Sequence, residues 1–423
     1  MPIAIKGEEK SGEWRQHWPT VVAAMTGVGL STIVTYSTSV FIAPLEREFG
    51  WSRADISSGH VIAGAATIVC APWTGWLVDR FGPRRIGLVA ALAMCLSMAM
   101  LSLTGPSIWS WRALWLFIAF AVVLIQPLVW TSSVTSLFEK RRGMALAVTL
   151  CGSGIGSLVT PPLTYYLITH LGWRMAFVAL PAIWGAVALP LLLLFFTSAA
   201  DKARRSRFVA APRVPTQMRE VLRGVILTRR FLTLLFGGFF FALIVVPAVV
   251  TMVPLLAANN IPTGEAAAIA SSVGLASIFG RLNIGLLLDR VPGRFVAAAC
   301  ACLPIASYAI LLASPGSVSA ATAAALILGL ALGAELDILA YLVSRYFPIR
   351  NFGVLFGTIG GFITLAGSAG PMALNSVYDH THSYQPALWA MIPLCVVASL
   401  LFLTLGAYPP RETLNLSGEV PVS

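Results

Sequence analysis

Apolar residues run through this chain in long blocks, and the polar residues gather in the short gaps between them. The blocks fall at roughly 18–45, 54–79, 84–104, 110–138, 142–170, 174–197, 229–257, 264–289, 294–313, 318–346, 351–379 and 385–408. Most hold about 20 residues or more, enough to cross a hydrocarbon layer ~30 Å thick. The alternation expected of barrel strands is absent. Inside lipid a segment must satisfy its own backbone N–H and C=O groups, which a helix does. The pattern therefore predicts an all-α membrane protein with twelve transmembrane helices, numbered here as spans 1 to 12.

Composition agrees with the pattern. Of 423 residues, 57% are hydrophobic and 11% charged, against about 25% charged in a soluble domain. A lipid-facing surface absorbs this excess of apolar sequence where a soluble core would not. The net charge of +11 raises the question of a nucleic-acid partner, and its distribution answers it. With both termini inside, four of the 28 Lys and Arg fall outside (Arg47, Arg53, Arg112, Arg174), one lies within a span (Arg281), and 28 − 4 − 1 = 23 fall in cytoplasmic segments. That is the positive-inside bias, so the basic charge sets topology, and no nucleic acid is needed to explain it. The predicted location is an inner membrane, crossed many times, with both termini cytoplasmic. The six cysteines lie in apolar segments without metal-ligand spacing, and are read as packing residues. Residues 1–17 are polar and show no apolar region followed by a cleavage site, so no removable signal peptide is expected.

A constant offset of 210 residues relates the two halves. Pro44 pairs with Pro254 (254 − 44 = 210), Gly75, Asp79, Arg80 and Arg84 with Gly285, Asp289, Arg290 and Arg294, Gly143 with Gly353, and Pro161 with Pro371. One offset kept from span 1 to span 11 predicts two pseudo-symmetric six-helix bundles, with a substrate site at their interface near the bilayer midplane. The predicted organisation is a cytoplasmic tail 1–17, a bundle 18–197, a linker 198–228, a bundle 229–408 and a cytoplasmic tail 409–423. The linker carries seven Lys and Arg with Pro212 and Pro215, which suits a stretch lying against anionic headgroups.

The repeated loop reads Gly75-Trp-Leu-Val-Asp79-Arg80-Phe-Gly82-Pro-Arg84 and Gly285-Leu-Leu-Leu-Asp289-Arg290-Val-Pro-Gly293-Arg294. The pattern resembles the cytoplasmic loop signature of the major facilitator superfamily, and the whole chain resembles that fold. The resemblance implies a gate that holds the outward-open state. Asp79, Arg80, Arg84, Asp289, Arg290 and Arg294 would form it, with Arg80 and Arg84 latching onto loops of the other half. Two further patches, Phe49-Gly50-Trp51-Ser52-Arg53 and Phe138-Glu-Lys140-Arg141-Arg142-Gly-Met-Ala145, resemble the monocarboxylate porter family and its bacterial oxalate–formate exchanger-like branch, and Arg142 joins the gating set. Gln16-His17-Trp18-Pro19 stands where animal members carry an acidic, Gly- and Trp-rich signature.

Span 8 holds Arg281 in Phe279-Gly280-Arg281-Leu-Asn-Ile-Gly285. A central Arg costs ~2.5–3.5 kcal/mol even on the lenient insertion scale, so it faces a cavity or a partner. Family members bind the substrate carboxylate with an arginine at this place, and the planar guanidinium can hold a carboxylate with two bonds. A purely structural ion pair is the alternative. Span 10 supplies Glu335 and Asp337. Arg281 lies eight residues before Asp289 and Asp337 eight before Arg345, which puts both ~12 Å above the cytoplasmic end. They are predicted partners, with Asp337 the better candidate for the coupled proton and Glu335 the second. The two acids point about 200° apart on one helix. Tyr36, Gln126 and Trp130 are candidates for the opposite cavity wall, or equally for packing between helices. The Gly152–Gly156 and Gly357–Gly361 spacings suggest close helix packing. No nucleophile triad, phosphate-binding loop or paired catalytic carboxylate appears, so the chain is not expected to be an enzyme and no cofactor or metal is predicted. The expectation is a monomeric porter that moves a small organic acid with a proton, with an aromatic-acid symporter or an efflux pump for small apolar compounds as alternatives.

Overall fold

The computed structural model describes residues 12–138, 142–198, 228–348 and 352–409. The described residues form thirteen α-helices: α1 (Gly12–Phe49), α2 (Arg53–Phe81), α3 (Pro83–Met100), α4 (Ile108–Leu124), α5 (Pro127–Leu137), α6 (Arg142–Phe195), α7 (Arg229–Val250), α8 (Met252–Ala258), α9 (Thr263–Arg290), α10 (Gly293–Ala313), α11 (Val318–Tyr346), α12 (Phe352–Thr381) and α13 (Gln385–Leu403). No strand occurs among them. The linker residues 199–227, the tails 1–11 and 410–423, and Lys140 and Arg141 lie outside the described set.

Ten stretches are long and apolar enough to cross a membrane. One of them, α6, holds two helices that meet at a kink: its non-helical residue is Gly172, at φ 77° and ψ 161°. The loop expected at 171–173 is thus a single hinge residue, and glycine is what tolerates that backbone. Adding this second span and α2 gives 10 + 1 + 1 = 12, the predicted number. Other turns are equally spare. Gly50 (φ 65°) separates α1 from α2, and Gly82 (φ 85°) separates α2 from α3, with Pro83 opening α3, where its missing N–H costs nothing. Spans 4 and 7 are each divided, into α4 with α5 and α7 with α8.

By their internal contacts the residues group into two units. Unit 1 is Met1–Ser37 with Val69–Pro212, and unit 2 is Thr38–Ile68 with Arg213–Ser423. The hairpin formed by the end of α1 and the start of α2 thus belongs with the C-terminal helices. Within unit 1, α6 lies directly on α1: a Cβ added to Gly152 would come 2.0 Å from the Met25 carbonyl oxygen, and one on Gly156 2.1 Å from the Thr32 hydroxyl. The predicted close packing at Gly152–Gly156 is therefore present. That expected at Gly357–Gly361 is not, since both glycines face open space.

Candidate functional site

The candidate site in unit 2 begins with a helix pair whose backbones touch. A Cβ on Gly333 would lie 2.1 Å from the Ser277 carbonyl oxygen, one on Gly329 2.4 Å from that of Val273, and one on Gly280 2.6 Å from that of Leu330. Small residues at the crossing permit this approach, which in lipid is driven by van der Waals packing rather than by the hydrophobic effect. Arg281 follows Gly280 on α9, and Asp337 sits one turn beyond Gly333 on α11. The close crossing brings their side chains together.

Arg281 Nε lies 3.3 Å from Asp337 Oδ2, with side-chain exposures of 9% and 28%. The separation is that of an ion pair, yet Arg281 Nε makes no hydrogen bond among the described residues. A guanidinium carries five N–H donors, so this pair leaves Arg281 with capacity for an anionic ligand while Asp337 balances its charge. Glu335, two residues earlier, is 2% exposed, and its Oε1 has no hydrogen-bond partner among the described residues. It lies one turn before Leu339, which meets α7 at Gly238. The two acids of span 10 therefore differ: one pairs with a buried cation, and the other is buried with no hydrogen bond to its Oε1 among the described residues.

The first-half candidates occupy a different kind of place. Helix α4 ends and α5 begins at Gln126, at φ −53° and ψ 150°, followed by Pro127. Pro127 has no N–H for the Val123 carbonyl, and the break orphans its neighbours too. Three of the orphans find side chains: Gln126 Nε2 donates to Val122 O (2.8 Å), Thr74 Oγ1 to Val123 O (3.0 Å), and Trp130 Nε1 to Ile125 O (3.0 Å). The Trp130 ring is fully buried and packs on Gly27, Gly87 and Phe196. Gln126 and Trp130 thus bond carbonyls of their own span at the helix break. Tyr36 lies half-buried in α1.

Among the predicted gating residues, Arg84 donates to Leu193 O at 2.5 Å. That bond joins α3 to the end of α6 within unit 1. The Arg80 guanidinium lies over Trp76 (5.1 Å) and Phe81 (5.6 Å), also within unit 1. Arg294 lies over Phe295 at 4.7 Å, Asp289 and Arg290 are exposed at the end of α9, and Arg142 is exposed at the start of α6. The side chain of Asp79 is outside the described set. A crevice of about 410 Å³ is lined by Gly280, Asn283, Leu287, Arg290, Cys300 and Ala334, among others, but not by Arg281 or Asp337. Its lining is mostly apolar, so chemistry rather than volume picks the ion pair as the site. Among the described residues no His, Cys, Asp or Glu cluster could hold a metal.

The profile of the Major Facilitator Superfamily matches residues 24–371 and again 251–422. The chain belongs to the major facilitator superfamily. This facilitator is 26% identical over 71% of its length to the agnestins efflux protein AgnL12 of Paecilomyces divaricatus, and 22% identical over 64% to monocarboxylate transporter 12 of Xenopus laevis. Those matches span 66% and 62% of the two relatives. An uncharacterised facilitator of Escherichia coli K12, YhjX, is 23% identical over 82% of this chain and 84% of its own. Among solved structures, the E. coli xylose transporter XylE in its inward-open conformation superposes with a TM-score of 0.73 at 16% identity, covering 93% of this chain and 97% of that one. The nucleoside transporter NupG superposes with 0.74 at 12% identity, covering 92% and 100%. At such identities the superpositions establish the fold. The family is one of multi-pass membrane transporters, which points away from an enzyme.

Sequence reasoning missed one polar cluster. Arg53, Asn375, Asp379 and Tyr384 come from two turns far apart in the chain, and the first was noted only as part of a family-like motif.

Proposed function

We propose that this facilitator carries a small organic anion of the monocarboxylate type, together with a proton, by alternating access. The observation that carries the reading is the Arg281–Asp337 pair: a buried guanidinium balanced by a single carboxylate 3.3 Å away, with its Nε unbonded. A substrate carboxylate approaching Arg281 would compete with Asp337. Once Asp337 loses its counter-charge in a half-buried site, protonation relieves the cost of a lone buried anion. One anion and one proton together carry no net charge, so their movement is not opposed by ~2.3 kcal/mol per 100 mV of membrane potential. Glu335, buried without a cation among the described residues, is the second proton-holding candidate. The reading places the carrier in an inner membrane, working as a monomer, with both termini cytoplasmic. Two relatives are named monocarboxylate transporters 12 and 6, which supports the substrate class. AgnL12 is named an efflux protein, which keeps outward transport as the second reading.

Uptake of labelled mono-, di- and aromatic carboxylates into proteoliposomes under an imposed pH gradient tests this. Saturable monocarboxylate uptake that collapses in Arg281→Gln is the expected result. Uptake indifferent to that substitution would remove the anchor. Asp337→Asn is expected to retain exchange of substrate for substrate and to lose drive by the proton gradient. Full drive in that variant would reassign the coupling group.

A further inference from the structure

At the ends of α1 and α12 remote from the chain termini, polar side chains of unit 2 form one bonded cluster. The Asp379 carboxylate of α12 accepts from the first two backbone N–H groups of α2, Arg53 N at 3.1 Å and Ala54 N at 2.8 Å. It caps a helix from another part of the chain, where orphan donors and the helix dipole both favour an anion. The Arg53 guanidinium lies 3.7 Å over the Tyr378 ring, donates through Nη1 to the Tyr384 hydroxyl at 3.2 Å, and pairs through Nε with Glu46 at 3.2 Å. The Tyr384 hydroxyl donates to Asn375 Oδ1 at 2.6 Å, and Asn375 Nδ2 donates to Ser57 Oγ at 2.7 Å. Asn375 is 0% exposed, Ser57 2% and Tyr384 3%. Further along α2, Gly64 abuts Ser368, whose Oγ a Cβ there would approach to 2.0 Å.

Two properties single this cluster out. It ties the α1–α2 turn to the α12–α13 turn, segments on opposite sides of the 210-residue repeat. And the repeat does not copy it: 53 + 210 = 263 is Thr263, 379 − 210 = 169 is Thr169, and 384 − 210 = 174 is Arg174. The repeat carries the shared scaffold, so a cluster found once has been added to it. Its bonds are polar, and most are charge-assisted. Such bonds hold a closed face but can be exchanged for water when it opens, whereas a dry apolar seal has no such substitute.

We propose that this cluster is the latch of the outer face, which must open once in every transport cycle. The proposal rests on the reading of the chain as an alternating-access carrier with its termini inside, and its test reads the face directly, without the substrate. In the full-length protein with its six native cysteines replaced, Ser57→Cys with Asn375→Cys is bridged by oxidation or by a short bifunctional thiol reagent. Bridging is expected to lower transport at least tenfold, and reductant is expected to restore it, which also shows that the double variant folds. Separately, Ser57→Cys is labelled in intact cells with a membrane-impermeant maleimide. Adding Asp379→Asn is expected to raise the labelling rate about tenfold, the population change that losing charge-assisted bonds produces. Bridged protein that transports at the unbridged rate, or labelling unchanged by both Asp379→Asn and Arg53→Leu, would overturn the proposal. If carboxylate uptake fails to depend on Arg281 while labelling responds as described, the substrate reading falls and the latch stands.

Discussion

Spans 4 and 10 occupy the same place in the repeat and solve the same problem in opposite ways. Glu335 and Asp337 correspond to positions 335 − 210 = 125 and 337 − 210 = 127, which are Ile125 and Pro127. In span 10 the helix runs unbroken from Val318 to Tyr346, and the polarity at this depth is ionic and in the side chains. In span 4 the helix stops at Leu124 and restarts at Pro127, and the polarity is in the backbone. Either feature is expensive in lipid, because an unsatisfied group there costs several kcal/mol. At Asp337 span 10 meets the cost with a cation on α9, and span 4 meets it with side-chain donors from Gln126, Thr74 and Trp130. The duplicated scaffold thus offers one register for polarity. The second half places titratable chemistry there, and the first half a bend.

The sharpest way to break this contrast is to remove the cation. Arg281→Gln is expected to lower anion uptake on the order of 100-fold, the consequence of losing ~3 kcal/mol at a buried charged contact. Arg281→Lys should recover little, because an ammonium cannot reproduce the planar fork. Initial rates in proteoliposomes check both. Next is the charge balance. Asp337→Asn leaves Arg281 buried without its counter-ion, and should destabilise the protein by about 3 kcal/mol. The double variant Arg281→Gln with Asp337→Asn should regain most of that loss in thermal unfolding while remaining inactive. If the single and double variants melted alike, the ion pair would have no structural weight.

Much of this was legible in the sequence, and the rest was hidden for identifiable reasons. Block lengths alone give the twelve spans, because lipid thickness fixes how long an apolar helix must be. The pairing of Arg281 with Asp337 followed from counting residues to the cytoplasmic ends of two antiparallel helices. The break at Gln126 is hidden, although Pro127 marks it, because the apolar block runs straight through. That hides the hydrogen bonds of Gln126 and Trp130, which the sequence offers equally as cavity wall or as packing, and which here serve carbonyls at the break. The loop signature names the gate arginines but not the Arg84 bond to the end of α6, because Leu193 lies 109 residues away in the chain. The outer cluster is invisible in the sequence since the bonds that join its two segments span more than 300 residues, 326 for Arg53 and Asp379, and no repeat or spacing relates them.

The span 4 side of the contrast is tested by removing donors while keeping shape. Trp130→Phe keeps an aromatic ring against Gly27 and Phe196 but deletes the Nε1–H that serves Ile125 O. An orphaned buried carbonyl should cost about 1–3 kcal/mol in detergent unfolding, with the substrate KM unchanged. A raised KM at unchanged stability would instead return Trp130 to the cavity wall.

Thr74→Val should have the smallest effect. Thr74 Oγ1 is shared between Val123 O at 3.0 Å and Cys70 O of its own helix at 3.4 Å, and valine keeps the shape while deleting the hydroxyl. The Cys70 carbonyl is still served by the α2 helix ladder, so only Val123 O is newly exposed to an apolar interior. Side-chain hydrogen bonds between membrane helices average about 0.6 kcal/mol, because the separated helices also find partners. The expected loss is therefore about 0.6–1 kcal/mol, below that of Trp130→Phe. The order of the two matters more than either value. If Thr74→Val were the more damaging, the bend would be held chiefly by α2 across the helix pair, and the break would be a feature of how α2 and α4 pack. If Trp130→Phe dominates, the bend is held from within its own span, as a proline-led restart with its own cap. That would make span 4 a self-contained kink, against the cross-helix ion pair of span 10.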